Sequence, residues 1–414
     1  MYKQKKPFRY AVLVAALAAA FSTTAWSADD LSTLKQEVDL LKQQIQELRA
    51  AIKDQGQKAA TIEDVKAVQA DVAQVSRSQS RAMDVNSSAH LTGYGSMGYA
   101  SRKGATGAFD TVQFAPIFHY SYKDLLFFET ELNLKSNTTG GTDVDLEYAN
   151  LNVFLNDSVT AFAGKFLTPI GNFFPNIHPA WINKFASRPP GFGGEGSAAP
   201  ESAIGAGLRG GFHLGAATKA NYALYVGNGP KLEISSGGTE ITGVKGEAST
   251  NNPSNSKLIG GRFGVLPMPG LELGISAGTS KVGVVPSGGT IESLRSYSVS
   301  GVDFAYQRKA LELRGEYIQQ SVGNLASSVA PQGGTWKTSY VQAAYKLTSK
   351  WEPVIRYGKF HSPLADQSKR QWGVGLNYWV TPSAVAKIGY EWNQGQLGTA
   401  NNDDRLLLQL AYGF

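Results

Sequence analysis

The residues of this chain that could do chemistry are ionised side chains at alternate positions in otherwise apolar runs. Glu312, Arg314 and Glu316 alternate with Leu311, Leu313 and Tyr317, while Glu129 and Glu131 alternate with Phe128, Thr130 and Leu132. Lys387 and Glu391 alternate with Ile388 and Tyr390, and Lys165, Arg209, Arg262, Arg295 and Arg356 take similar places, as do Asp145, Glu147, Glu272 and Asp303. A period of two puts each set on one face of a strand. A wet face of mixed charge can bind or pass polar solutes. Catalytic patterns are missing: there is no G-x-S-x-G, no H-E-x-x-H and no P-loop. Three matches to G-x-G-x-x-G, at Gly93/Gly95/Gly98, Gly191/Gly193/Gly196 and Gly205/Gly207/Gly210, open no helix inside a βαβ unit, and a chain with 46 glycines yields them by chance. The histidines (90, 119, 178, 213 and 361) lack metal-ligand spacing, and there is no cysteine. The sequence therefore predicts no enzyme, no metal and no cofactor.

Those faces need strands to carry them. From about residue 90 the period is two throughout, and sixteen segments begin near residues 91, 111, 125, 144, 159, 204, 219, 257, 271, 295, 310, 336, 351, 371, 384 and 405. Parity slips within 144–155 and 295–306 predict bulges there. A soluble sandwich would turn the apolar face into a core, whereas a membrane barrel turns it outward to lipid. Segments of nine to eleven residues, Tyr and Trp near strand ends, and short joints alternating with long Gly-, Ser- and Asn-rich ones favour the barrel. The chain ends mid-strand, with Leu406, Leu408, Leu410, Tyr412 and Phe414 on one face. An apolar edge of this kind aggregates unless it closes on the first strand. The expected fold class is all-β: a sixteen-stranded antiparallel transmembrane barrel over 90–414, preceded by an α-helical coiled coil.

At the front, Lys3, Lys5, Lys6 and Arg9 precede an apolar run too short to span a bilayer, and Ala25-Trp26-Ser27 supplies small residues for cleavage, so 1–27 reads as a signal peptide. Four of the net +6 charges leave with it, and the near +2 remaining argues against nucleic acid. Residues 28–80 read as a periplasmic coiled coil, with Leu31, Leu34, Val38, Leu41, Ile45, Leu48 and Ile52 spaced alternately by three and four. β-Branched residues at its a positions favour dimers, whereas a trimeric barrel would impose three. Residues 81–89 form a linker.

Residues 167–203 form the longest connection between neighbouring strands, with His178, Trp181, Lys184 and Arg188 set among prolines and phenylalanines. A loop folded into the bore would bury the aromatics on the wall and leave the cations facing a passage; packing over a trimer axis is the alternative. The segment Ala163-Gly-Lys-Phe-Leu-Thr-Pro-Ile-Gly-Asn-Phe-Phe174, with His178-Pro-Ala-Trp-Ile-Asn-Lys184, resembles the one entering the constriction loop of phosphate-selective-type outer-membrane porins. The coiled coil is similar to that of trimeric dicarboxylate-type porins. The resemblance implies a homotrimer in the outer membrane of a Gram-negative bacterium, passing small polar, anionic solutes. It departs from the phosphate-selective pattern in having no dense arginine or lysine ladder. Lys165, Arg209, Arg262, Arg295, Arg314, Arg356, Lys387, Glu129, Glu131, Glu312 and Glu316 would line the pore. Lys184, Arg188, Arg209, Arg314 and Arg356 would give it a cationic side; alternatively, these charges pair and stiffen the wall. The partners expected are outer-membrane lipid, the barrel-assembly machinery acting on the last strand, and peptidoglycan. A siderophore-uptake porin and a tether between outer membrane and peptidoglycan remain alternative functions.

Overall fold

The computed structural model describes residues 42, 43, 46, 86–193, 196–215, 217–245, 250–286, 289–364, 367–395 and 403–414. The chain divides into two units, 1–86 and 87–414. The signal peptide, the heptad residues Leu31 to Ile52 and residues 81–85 of the linker lie outside the described residues; within the first unit, Lys42, Gln43 and Gln46 are helical.

The second unit is built of strands. In chain order these are β1 (Ser87–Arg102), β2 (Ala108–Tyr122), β3 (Leu126–Ser136), β4 (Thr142–Asn156), β5 (Val159–Leu167), β6 (Ser202–His213), β7 (Lys219–Asn228), β8 (Lys231–Ile234), β9 (Ile241–Lys245) and β10 (Lys257–Met268). There follow β11 (Leu271–Val282), β12 (Arg295–Arg308), β13 (Leu311–Val322), β14 (Gly334–Tyr345), β15 (Trp351–His361), β16 (Lys369–Thr381), β17 (Ala384–Gly395) and β18 (Arg405–Gly413). Strands β8 and β9 pair only with each other, as a hairpin in a long connection. The other sixteen close an antiparallel barrel, each beside its neighbour in sequence, with β18 completing the ring on β1. Tyr94 lies opposite Gly413 and Arg102 opposite Arg405. Gly93 and Phe414 exchange backbone hydrogen bonds of 3.1 and 3.0 Å, so the chain end has no free edge. The barrel strands run from 9 to 16 residues, and several are longer than a tilted crossing requires.

The arrangement of polarity settles which face looks where. Val144, Ile275, Ile259 and Leu224 are 57–61% exposed, whereas Glu131, Arg356, Lys387 and Glu391 are at most 4% exposed. Leu408, Leu410, Tyr412 and Phe414 of the last strand stand outward with the aliphatic set, and Leu406 shares their parity. A soluble protein inverts this pattern. Leaving each such side chain in water would cost about 1.5–3 kcal/mol, so the belt calls for an apolar surrounding.

One expected bulge is present: between Glu131 and Leu132 the partner jumps from Tyr148 to Leu146, leaving Glu147 extra. The other is absent, since β12 pairs without a break on both sides. There Tyr297 and Val299 face inward, 1% and 2% exposed, because an apolar body lies inside the barrel, and Ser296, Ser298 and Ser300 face outward.

Candidate functional site

That apolar body is the connection between β5 and β6. Its neck is pinched shut: Thr168 donates its N–H to the Glu201 carbonyl at 3.1 Å and its hydroxyl to the Pro200 carbonyl at 2.6 Å. Beyond the neck, Ile170, Phe173, Phe174, Ile177 and Phe192 are buried against the inward Tyr297, Ile318, Tyr340 and Phe360. The Phe192 and Tyr340 rings meet edge to face, with centroids 5.4 Å apart. Glu316 on β13 accepts the N–H groups of Asn172 and Phe173, each at 3.1 Å, ahead of the short helical turn Phe173–Asn176. Gly171 makes this possible: its φ is +73°, and a Cβ there would fall on the Glu316 carboxylate. Gly171→Ala should therefore lower stability by about 1–2 kcal/mol from backbone strain alone, read as a lower denaturant midpoint in detergent.

The loop's second half is anchored to the opposite wall. Phe185, 1% exposed, lies against the backbone of Gly373, Gly375 and Gly389, where an inward Cβ at Gly373 would stand 2.7 Å from its ring. Arg356 covers the same ring, its guanidinium 4.3 Å from the centroid. It donates to the Ser187 carbonyl (2.7 Å) and hydroxyl (2.6 Å), to Gln371 (2.9 Å) and to Glu391 (3.1 Å). Glu391 also takes Arg405 at 2.5 Å. Lys387 donates to the carbonyls of Ala180 and, at 2.6 Å, Asn183. Asn377 donates to the Lys184 carbonyl at 2.9 Å, and Lys184 itself reaches Glu352 at 3.3 Å and Glu312 at 3.8 Å. His178 sits edge-on to Tyr94, its Nε2 3.8 Å from Glu131, which accepts the Tyr94 hydroxyl at 2.7 Å. Trp181 packs on Gly413 of the closing strand.

The expected charges thus divide into three groups. Arg262 is held between Asp303 (2.5 Å) and Glu272 (2.9 Å); Arg295, 4% exposed, donates to the Ala330 carbonyl at 3.0 Å; Arg314 pairs with Glu312. With Arg356 and Lys387 they face inward, but they are used up in the wall or beneath the loop, so Arg314 and Arg356 do not form a cationic side to a passage. Arg188 and Arg209 are the more open pair, with side chains 32% and 47% exposed. Arg188 pairs with Glu201 at 2.6 Å; Arg209 reaches Glu129 at 3.2 Å and Asn152 at 2.7 Å. Lys165 corrects the inward expectation outright. It pairs in register with Ala149 and Ile204 on the outer face that carries Leu151 and Leu208, because Phe162 and Phe166 take the inner parity to pack inside the barrel.

Sequence reasoning missed Phe185, Phe192, Tyr340, Asn377 and Ser276, whose hydroxyl accepts the Gly171 N–H at 3.1 Å, as loop anchors. One signal was present: Gly373, Gly375 and Gly389 share the inner face of neighbouring strands, and an inner wall without side chains makes room for something large.

No family model matches the sequence, and no curated protein is similar to it at the sequence level. Solved structures are similar in fold. The outer-membrane channel DcaP of Acinetobacter baumannii matches with a TM-score of 0.54 at 10% identity, over 80% of this chain and 99% of that one. The anion-selective porin from Comamonas acidovorans matches with 0.51 at 12%, over 79% and 100%. OmpF of Salmonella typhi, solved in complex with daunomycin, matches with 0.51 at 12%, over 80% and 98%. The fold is that of a porin barrel.

Proposed function

We propose that this chain is an outer-membrane porin for passive diffusion of small polar, anionic solutes, with the loop between β5 and β6 as its constriction. The observation that carries the reading is the loop itself, bound inside a barrel whose inner face is polar and whose outer face is apolar. Arg188 and Arg209, the most open of the inward cations, give the passage its positive charge, each beside one carboxylate (Glu201 and Glu129), whereas Glu131 is buried against Tyr94 and His178. Every other inward cation named above is tied to a carboxylate or a loop carbonyl, so the pore lacks the free cationic ladder that phosphate selectivity would need. The anion-selective porin of similar fold supports the anionic preference. Purified protein in a planar bilayer should give stepwise ohmic conductance; no conductance would overturn the proposal. Arg209→Glu should shift the reversal potential in a salt gradient toward cation selectivity, and an unmoved potential would take Arg209 out of the selectivity path.

The rest of the chain fits the same proposal. Residues 1–27 direct export, the heptads hold three copies together in the periplasm and approach peptidoglycan, and β18 is the segment the barrel-assembly machinery takes up. The small outward side chains Ala149, Ala161, Ala163 and Ala206 offer a surface to a neighbouring barrel, with Lys165 beside them.

A further inference from the structure

Strands β14, β15 and β16 carry three cations on their outer face near the long connections. Lys337, Lys359 and Arg370 are exposed, whereas the adjacent inward side chains Trp336, Thr338, Phe360 and Gln371 are buried. Lys359 stands directly opposite Arg370, and Lys337 opposite His361, two residues along from Lys359. Direct cross-strand neighbours have Cβ atoms about 4.5–5.5 Å apart and diagonal ones about 7–8 Å. None of the three cations has an ion-pair or hydrogen-bond partner among the described residues. The one carboxylate on these strands, Glu352, is 2% exposed on the inner face. Like charges placed directly opposite destabilise a sheet, so the arrangement is unfavourable until an anion lies between them.

What lies beneath the cations gives that anion its class. Tyr357 and Trp372 stand opposite each other, ring centroids 4.8 Å apart, and below them come Ile355, Val374 and Val341, 40–51% exposed. The surface therefore descends from cations through an aromatic layer to an aliphatic wall. A soluble anion uses only the first of these. An amphiphile with clustered phosphates and several acyl chains uses all three, since guanidinium and ammonium groups bind phosphate by charge-assisted hydrogen bonds while the chains lie on the aliphatic wall.

We infer that the outer face of β14–β16 is a binding site for the phosphorylated glycolipid of the outer leaflet. The inference rests on the reading of the chain as an outer-membrane porin with its long connections outward, which conductance tests separately. Purified protein in detergent is titrated with lipopolysaccharide, with enzymatically dephosphorylated lipopolysaccharide and with cardiolipin, followed by native mass spectrometry and thermal unfolding. The wild type should bind lipopolysaccharide and melt at higher temperature with it. The K337Q/K359Q/R370Q variant should bind about tenfold more weakly, the weight of one charge-assisted contact, and K359Q alone should weaken in the same direction. A control at the opposite rim, K123Q/R308Q/K309Q, should bind as the wild type does. The triple variant should keep wild-type conductance, because its changed side chains face outward, and without lipid it should melt no lower, because a repulsion has been removed. Wild-type affinity in the triple variant would overturn the inference, as would equal binding of the dephosphorylated glycolipid. Cardiolipin binding as tightly as lipopolysaccharide would also overturn it, by assigning the site to a phospholipid.

Discussion

Replacing Arg356 by alanine should lower the unfolding free energy of the barrel by about 1–3 kcal/mol for each buried acceptor it leaves without a donor. The guanidinium is wholly buried, and Ser187, Gln371 and Glu391 all take hydrogen bonds from it. Glu391 would keep Arg405, but Ser187 would lose its anchor, so the loop should detach locally while the barrel still forms. Chemical unfolding in detergent, followed by tryptophan fluorescence, reads the first effect. Excess open-channel noise in bilayer recordings reads the second. Arg356→Lys keeps the charge but not the planar fork, and should recover only part of either. A variant as stable and as quiet as the wild type would mean the loop is held elsewhere.

The second large effect belongs to Phe185. Removing a buried phenylalanine ring costs about 3–5 kcal/mol when the site cannot collapse, and the glycine wall beneath this one is backbone and cannot close over the gap. Phe185→Ala should therefore loosen the loop against β16, raise single-channel conductance and widen the range of sugars that pass in liposome swelling. Gly373→Val should act in the same direction from the other side, since its side chain would occupy the ring's place. Unchanged conductance in both variants would remove this part of the loop from control of the passage.

Much of the architecture was legible because lipid imposes a simple rule on it. Alternation with period two locates sixteen segments, and each begins within four residues of the start of a barrel strand. The closing face of Leu408, Leu410, Tyr412 and Phe414 stands outward as its parity required. The site was legible only in outline. The loop's length and its aromatic residues marked it as unusual, but the period of a strand says nothing about what presses on its inner face. Tyr297 and Val299 turn inward against the loop, and the parity slip this produces in the sequence has the same pattern as a bulge. Lys165 shares the parity of the outward alanines, and nothing in the period of its strand reveals that Phe162 and Phe166 take the inner face instead. Loop partners of Arg356 and Lys387 lie far away in sequence, so the sequence leaves open whether these charges face a passage or pair in the wall, and the structure pairs them.

The stitched neck at Thr168 has an evolutionary consequence. Because β5 and β6 are already fastened to each other before the connection departs, the stretch between 169 and 199 can change without disturbing the register of the scaffold wherever it still satisfies Glu316, Arg356 and Lys387. Descendants of such a gene could acquire a new diet by rewriting about thirty codons, while the host envelope continued to assemble the same cylinder.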